Sequence, residues 1–103
     1  MADCTPQEIE QIENRILKLR PGMDSAQAER ILSLEEFEGR FTVTSYQSGG
    51  ETCSFYHFRR ECNLLLRQAS QRRVLTGFEL IGETWSEEIK HSFPRNLPPN
   101  PNR

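Results

Sequence analysis

The 103-residue sequence is short of the features that usually announce a function. It has no apolar run of the roughly 20 residues that a membrane-crossing helix needs. It also does not open with the cationic-then-apolar order of an export leader. It therefore reads as cytoplasmic if the chain is complete, and as periplasmic or envelope if a leader was cleaved from it. Neither sign of charge dominates: 13 Lys and Arg stand against 15 Asp and Glu, for a net charge of -2. That balance gives no general pull towards nucleic acid or anionic lipid. The three cysteines, Cys4, Cys53 and Cys62, form an odd set without a CxxC pair, which fits a reducing compartment and no disulfide framework. There is no Gly-rich phosphate loop, no H-E-x-x-H helix and no internal repeat.

What is present is enough for one domain with one core. The hydrophobic share of 35% and charged share of 27% are globular, on the polar side. Thr5-Pro6-Gln7-Glu8 is a helix start, with a capping threonine, a proline at the first helical position and a glutamate that completes a capping box. Ile9, Ile12, Ile16 and Leu19 recur at helical spacing as far as Arg20, where Pro21-Gly22 stops the helix. Asp24 caps a second helix with Ala28, Ile31 and Leu32 on its apolar stripe. Its short link to the first makes an αα-hairpin.

From Phe41 the period falls to two. Four strands are predicted near residues 40–47, 51–59, 62–69 and 73–81, with turns at Ser48-Gly49-Gly50, Arg60-Glu61 and Ser70-Gln71-Arg72. Those loop lengths pair Val43 with Phe55, Phe55 with Leu66 and Leu64 with Phe78. One face then collects Phe41, Val43, Phe55, Leu64, Leu66, Val74, Phe78 and Leu80, and it should lie under the helices. The other face collects Tyr46, Tyr56, Phe58, Leu65, Arg67 and Leu75. The fold class expected is α+β, an N-terminal αα-hairpin packed on one face of a four-stranded antiparallel meander sheet. The domain spans residues 5–85, and a Pro- and Asn-rich tail follows over 86–103, with a last helical turn as an option between Ser86 and Phe93.

The segment Leu19-Arg20-Pro21-Gly22-Met23-Asp24-Ser25-Ala26-Gln27-Ala28-Glu29-Arg30-Ile31-Leu32 resembles the signature of SmpA/BamE-like and β-lactamase-inhibitory-protein-like domains. In these a first helix ends in Gly-Met, a capped helix follows and an antiparallel sheet comes next. The sequence departs from the pattern after the second helix, where Ser33-Leu34 stands in place of the usual "LLG-x-P". What the resemblance implies is protein–protein contact as the mode of action, often at the bacterial envelope, without selecting a partner.

Chemistry fares less well. Cys53, His57 and Cys62 suggest a metal site only until Cys53 and His57 are placed about 13 Å apart along one strand. No cysteine has a base and an orienting group beside it. Arg59-Arg60 and Arg72-Arg73 fall in turns at opposite ends and form no single stripe for phosphate. The expectation is thus a non-catalytic interaction module that binds a protein partner or itself, with no cofactor, metal, nucleic acid or membrane span. Its binding surface would be Tyr46, Tyr56, Phe58, Leu65 and Arg67, aromatics with an arginine on one sheet face. Alternatives are a tail that folds back over that face through Trp85, Ile89 and Phe93, and a small-ligand or enzymatic site between helix hairpin and sheet.

Overall fold

The computed structural model describes the backbone of residues 3–92 and the side chains of 3–90. Helix α1 (Pro6–Ile16) starts as its sequence dictates. Thr5 Oγ1 accepts from the Glu8 amide at 3.2 Å, and Glu8 Oε1 accepts from the Thr5 amide at 2.8 Å. Two orphan donors of the first turn are thereby satisfied reciprocally. The α-helix ends at Ile16, short of Arg20, because the chain tightens: Lys18 N–H donates to Arg15 O and Leu19 N–H to Ile16 O. These three-residue bonds still carry Leu19 into the core. Gly22 then turns the chain at φ +96°, and the Asp24 carboxylate caps α2 (Ser25–Leu32) by accepting from Ala26 N–H. A single 3-10 turn follows over Leu34–Phe37. Arg15 ties this stretch to α1. Its guanidinium donates to Leu32 O, pairs with Glu36 at 2.9 Å and lies over the Phe37 ring.

Strands β1 (Thr42–Ser48), β2 (Glu51–Arg59), β3 (Cys62–Ala69) and β4 (Val74–Ile81) form one sheet in the order β1-β2-β3-β4, every neighbour antiparallel. A short helix α3 (Glu87–Ser92) ends the described chain. The architecture is α+β, an N-terminal αα-hairpin packed on one face of a four-stranded antiparallel meander. Its core is Ile12, Ile16, Leu19, Ala28 and Leu32 from the helices against Phe58, Cys62, Leu64, Leu66 and Leu75 from the sheet.

The register differs from the expected one on β2, and two local causes explain it. The first loop has two residues, not three: Gly49 (φ +59°) and Gly50 (φ +82°) make the turn and Ser48 pairs with Glu51. Two left-handed residues match the twist of a tight hairpin, which is why two glycines stand there. The second loop is Arg60-Glu61 as expected, with Arg59 opposite Cys62, but the register shifts between His57 and Arg59 and leaves Phe58 unpaired. That β-bulge moves every earlier residue of β2 to the opposite face. Val43 therefore pairs with Tyr56 and Phe55 with Leu65. Tyr56 and Phe58 lie on the helix side, against expectation, and Phe55, Cys53 and His57 lie on the other. A second shift at Arg67/Gln68 sets Leu75 opposite Gln68, so Leu75 is buried where Val74 had been expected.

Packed structure also continues past the boundary expected at residue 85. Trp85 meets Phe58 edge-on at 6.1 Å between centroids, and its Nε1 donates to Asn63 O and Ile81 O. Ser86 N–H donates to Glu13 Oε2 of α1, and Ile89 is buried in the core. The fold-back through Trp85 and Ile89 thus joins the helix layer rather than the opposite sheet face. Phe93 and the Pro- and Asn-rich stretch lie outside the described residues.

The inverted sidedness of β2 can be measured. Phe58→Ala removes a ring with 0% exposure and should cost roughly 3–5 kcal/mol in a urea titration. Phe55→Ala, on the uncovered side, should cost less than about half of that. The reverse ranking would place Phe55 under the helices.

Candidate binding face

The sheet face turned away from the helices can be laid out row by row from the pairings. Tyr46, Cys53, Arg67 and Gly77 form one row across the four strands; Thr44, Phe55, Leu65 and Glu79 form the next; Thr42, His57, Asn63 and Ile81 form the third. Among the described residues no helix lies over these rows. Phe55 and Leu65 are direct cross-strand partners at the centre, each part-exposed. Tyr46 flanks them at 49% exposure, whereas Cys53 in the same row is only 4% exposed. The Cys53 thiol beside the Tyr46 phenol is the main cause that pushes its pKa above the ordinary value.

The polar rim is held in place. Arg67 Nη1 lies 3.7 Å from Glu79 Oε1, and its guanidinium runs over Gly77, where a Cβ would come within 3.3 Å of Nη2. Gly77 is thus the floor on which the arginine lies. On the opposite flank His57 Nδ1 and Asn63 Oδ1 are 2.6 Å apart, so the imidazole donates from Nδ1, and Asn63 Nδ2 donates to Ile81 O. A β platform with an aromatic–aliphatic centre and an arginine at its rim has the composition of a protein-binding hot spot.

Of the residues the sequence pointed to, the structure brings Tyr46, Leu65 and Arg67 together on this face. Tyr56 and Phe58 belong to the core side. Their rings stack with planes 6° apart, Phe41 packs on both, and burial together with the Glu29 charge raises the Tyr56 pKa. Phe55, His57 and Asn63 take their places, and the sequence reading had set the first two inside. The signal that could have found them is a conflict. Reading Gly49-Gly50 as a two-residue turn puts Phe55 opposite Thr44, while the Arg60-Glu61 loop would put it opposite Leu66, and only a bulge reconciles the two.

The other chemistry weighed in the sequence is dispersed. Cys53 lies on the open face and Cys62 on the core side, all three cysteines are unpaired, and the described residues contain no grouping of three His, Cys, Asp or Glu placed to hold a metal. The layer between helix hairpin and sheet is filled by Ile12, Ile16, Leu64 and Leu66. A groove of about 330 Å³ does exist on the outer flank of α1, lined by Glu10, Glu13, Asn14, Arg59 and Thr84 among others. Among the described residues no helix is long and apolar enough to cross a membrane. Compared with family models, with curated proteins and with solved structures, the chain matches none.

Burial pushes the Cys62 thiol up to about 12 from 9.0, against the lowering effect of a hydrogen bond with Thr84. A thiol so protonated at neutral pH is a poor nucleophile. It also ties stability to pH. Between about 9 and 12 the unfolded chain loses this proton while the folded one keeps it, so stability falls as pH rises, by about 1.4 kcal/mol per unit. Urea titrations from pH 8 to about 11 should show that decline, and Cys62→Ala should flatten it by that amount.

Proposed function

We propose that this chain is a non-catalytic protein-binding module of the SmpA/BamE-like or inhibitor-like kind, and that the open sheet face is its contact surface. The observation that supports this most is the one-sided packing. All three described helices gather on the same side, and α3 joins them instead of crossing to the bare side. A sheet face that is merely solvated needs no apolar centre. This one carries Phe55 opposite Leu65, with Tyr46 and Arg67 beside them.

The partner's chemistry follows from the face. An aliphatic or aromatic projection would seat on Phe55 and Leu65, and a carboxylate would share the Arg67 guanidinium, whose five donors exceed what its 3.7 Å contact with Glu79 uses. Side chains fixed on strands lose little freedom on docking, which favours a rigid-body encounter. An envelope-assembly accessory and an inhibitor of a secreted enzyme would both use a face of this kind.

The test is affinity capture from the source organism, followed by calorimetric titration of the purified partner. Leu65→Arg and Phe55→Ala should each weaken binding at least about fivefold, with circular dichroism unchanged. Lys18→Glu, exposed on the tightened turn after α1, should leave the affinity as it was. Equal losses at Lys18 and Leu65, or amide shifts confined to α1 and α3 on titration, would remove the face from the contact.

A further inference from the structure

The two edges of the sheet are built differently. At the β4 edge the link between α1 and α2 adds itself as a short extra strand. Gly22 N–H donates to Leu75 O at 2.6 Å, Leu75 N–H to Met23 O and Ser25 N–H to Arg73 O at 2.8 Å each, and Asp24 bridges Val74. At the β1 edge nothing comparable occurs among the described residues. Thr42–Ser48 make backbone hydrogen bonds only to β2, every one of the seven is exposed, and the pairing with β2 runs without a register shift. The exposed large hydrophobic residues of the described chain, Val43 and Tyr46, both sit on this strand at 49% exposure.

Natural sheets blunt a free edge with charge, proline, a bulge or a covering segment. The stretch Thr-Val-Thr-Ser-Tyr-Gln-Ser uses none of them. It is unbulged, uncharged and rich in β-branched residues, so its outward amides and carbonyls form a template for another strand. We propose that β1 pairs antiparallel with β1 of a second copy of this chain, about a two-fold axis normal to the sheet.

Three features of β1 favour its own copy as the occupant. A two-fold axis of this kind keeps each face on its own side, so even-numbered residues meet even-numbered ones and odd meet odd. The even positions are Thr42, Thr44, Tyr46 and Ser48, all hydroxyl-bearing. A hydroxyl both donates and accepts, so each can serve its opposite number in the copy. The strand has no charge, and self-pairing therefore sets no like charges against each other. Among the described residues no helix stands over β1, as the exposure of Val43 shows, and the second copy can approach without a clash of helix layers. A register centred on Ser45 uses all seven residues, with Thr44 opposite Tyr46, Thr42 opposite Ser48 and Val43 opposite Gln47. The product is one continuous sheet made from two four-stranded ones, with both open faces on the same side.

Sedimentation equilibrium of the full chain from about 5 to about 500 µM tests this. The expected result is a reversible dimer, twice the 12.0 kDa of one chain. Thr44→Lys and Thr44→Glu should each weaken it at least about tenfold with circular dichroism unchanged, while an equimolar mixture of the two recovers the dimer, because residues 44 of the two copies are diagonal neighbours within reach of long side chains. Val43→Lys, on the other side of the same strand and opposite Gln47 of the copy, should weaken it less, through the lost β-branched contact alone. A single 12.0 kDa species at every concentration would overturn the proposal. So would a dimer indifferent to substitutions at Thr44 and Val43, and so would a dimer broken by Leu65→Arg alone, since that variant reports on the face and not on the edge.

Discussion

Phe58 is the point at which the layers of this protein meet. Its ring contacts Phe41 from the connection into the sheet, Tyr56 from its own strand and Trp85 from the segment after β4. Its carbonyl accepts from Cys4 N–H, which ties the start of the described chain to the middle of the sheet. A residue in regular alternation after His57 would face inward or outward by parity alone. Phe58 faces inward by that parity, and because the strand yields one residue there Arg59 does not pass to the open face but pairs with Cys62 and lines the groove beside Glu13. The helix side of β2 and the segment from Trp85 to Ile89 are both arranged around that concession.

This dependence explains which parts of the molecule were legible in the sequence. Capping chemistry is local, so Thr5, Glu8 and Asp24 declared both helices, and the change of period at Phe41 declared the sheet. Strand ends fell within two residues of those observed. Sidedness was legible on β3, where Leu64 and Leu66 are buried, and on the same grounds Leu65 and Arg67 were placed on the open face. It was not legible on β2, where Cys53, Phe55 and His57 alternate with Ser54, Tyr56 and Phe58 and both sets carry large rings. With aromatics on either face, hydrophobicity does not choose, and one extra residue decides. Tyr46 came out on the open face only because the misread first loop and the unseen bulge cancelled each other.

The two sides of the sheet accordingly divide the work. The helix side is closed by apolar contact and by one buried carboxylate, Glu13, which holds the entry to α3 through the Ser86 amide. The other side keeps its aromatic and aliphatic centre part-exposed among the described residues, framed by side chains fixed to their own sheet: Arg67 to Glu79, His57 to Asn63. Such framing lowers the freedom a rim residue has left to lose when something docks. The edges repeat the asymmetry, with β4 overlaid by the helix link and β1 uncovered among the described residues. A face and an edge meet at Tyr46, which belongs to both.

The bulge also sets a rule for how this chain can change in length. Between the Gly49-Gly50 turn and the Arg60-Glu61 turn, β2 holds its inside and its outside as a matter of odd and even count, and Phe58 is the odd residue. Loss of any one residue from that stretch can be absorbed by straightening the bulge, at the price of the ring that binds the layers. Gain of one would need a second bulge. Pairs of residues, added or removed together, leave every side chain facing as before. Descendants of this sequence should therefore carry length changes at β2 in twos, and a single-residue loss only together with loss of the bulge at Phe58.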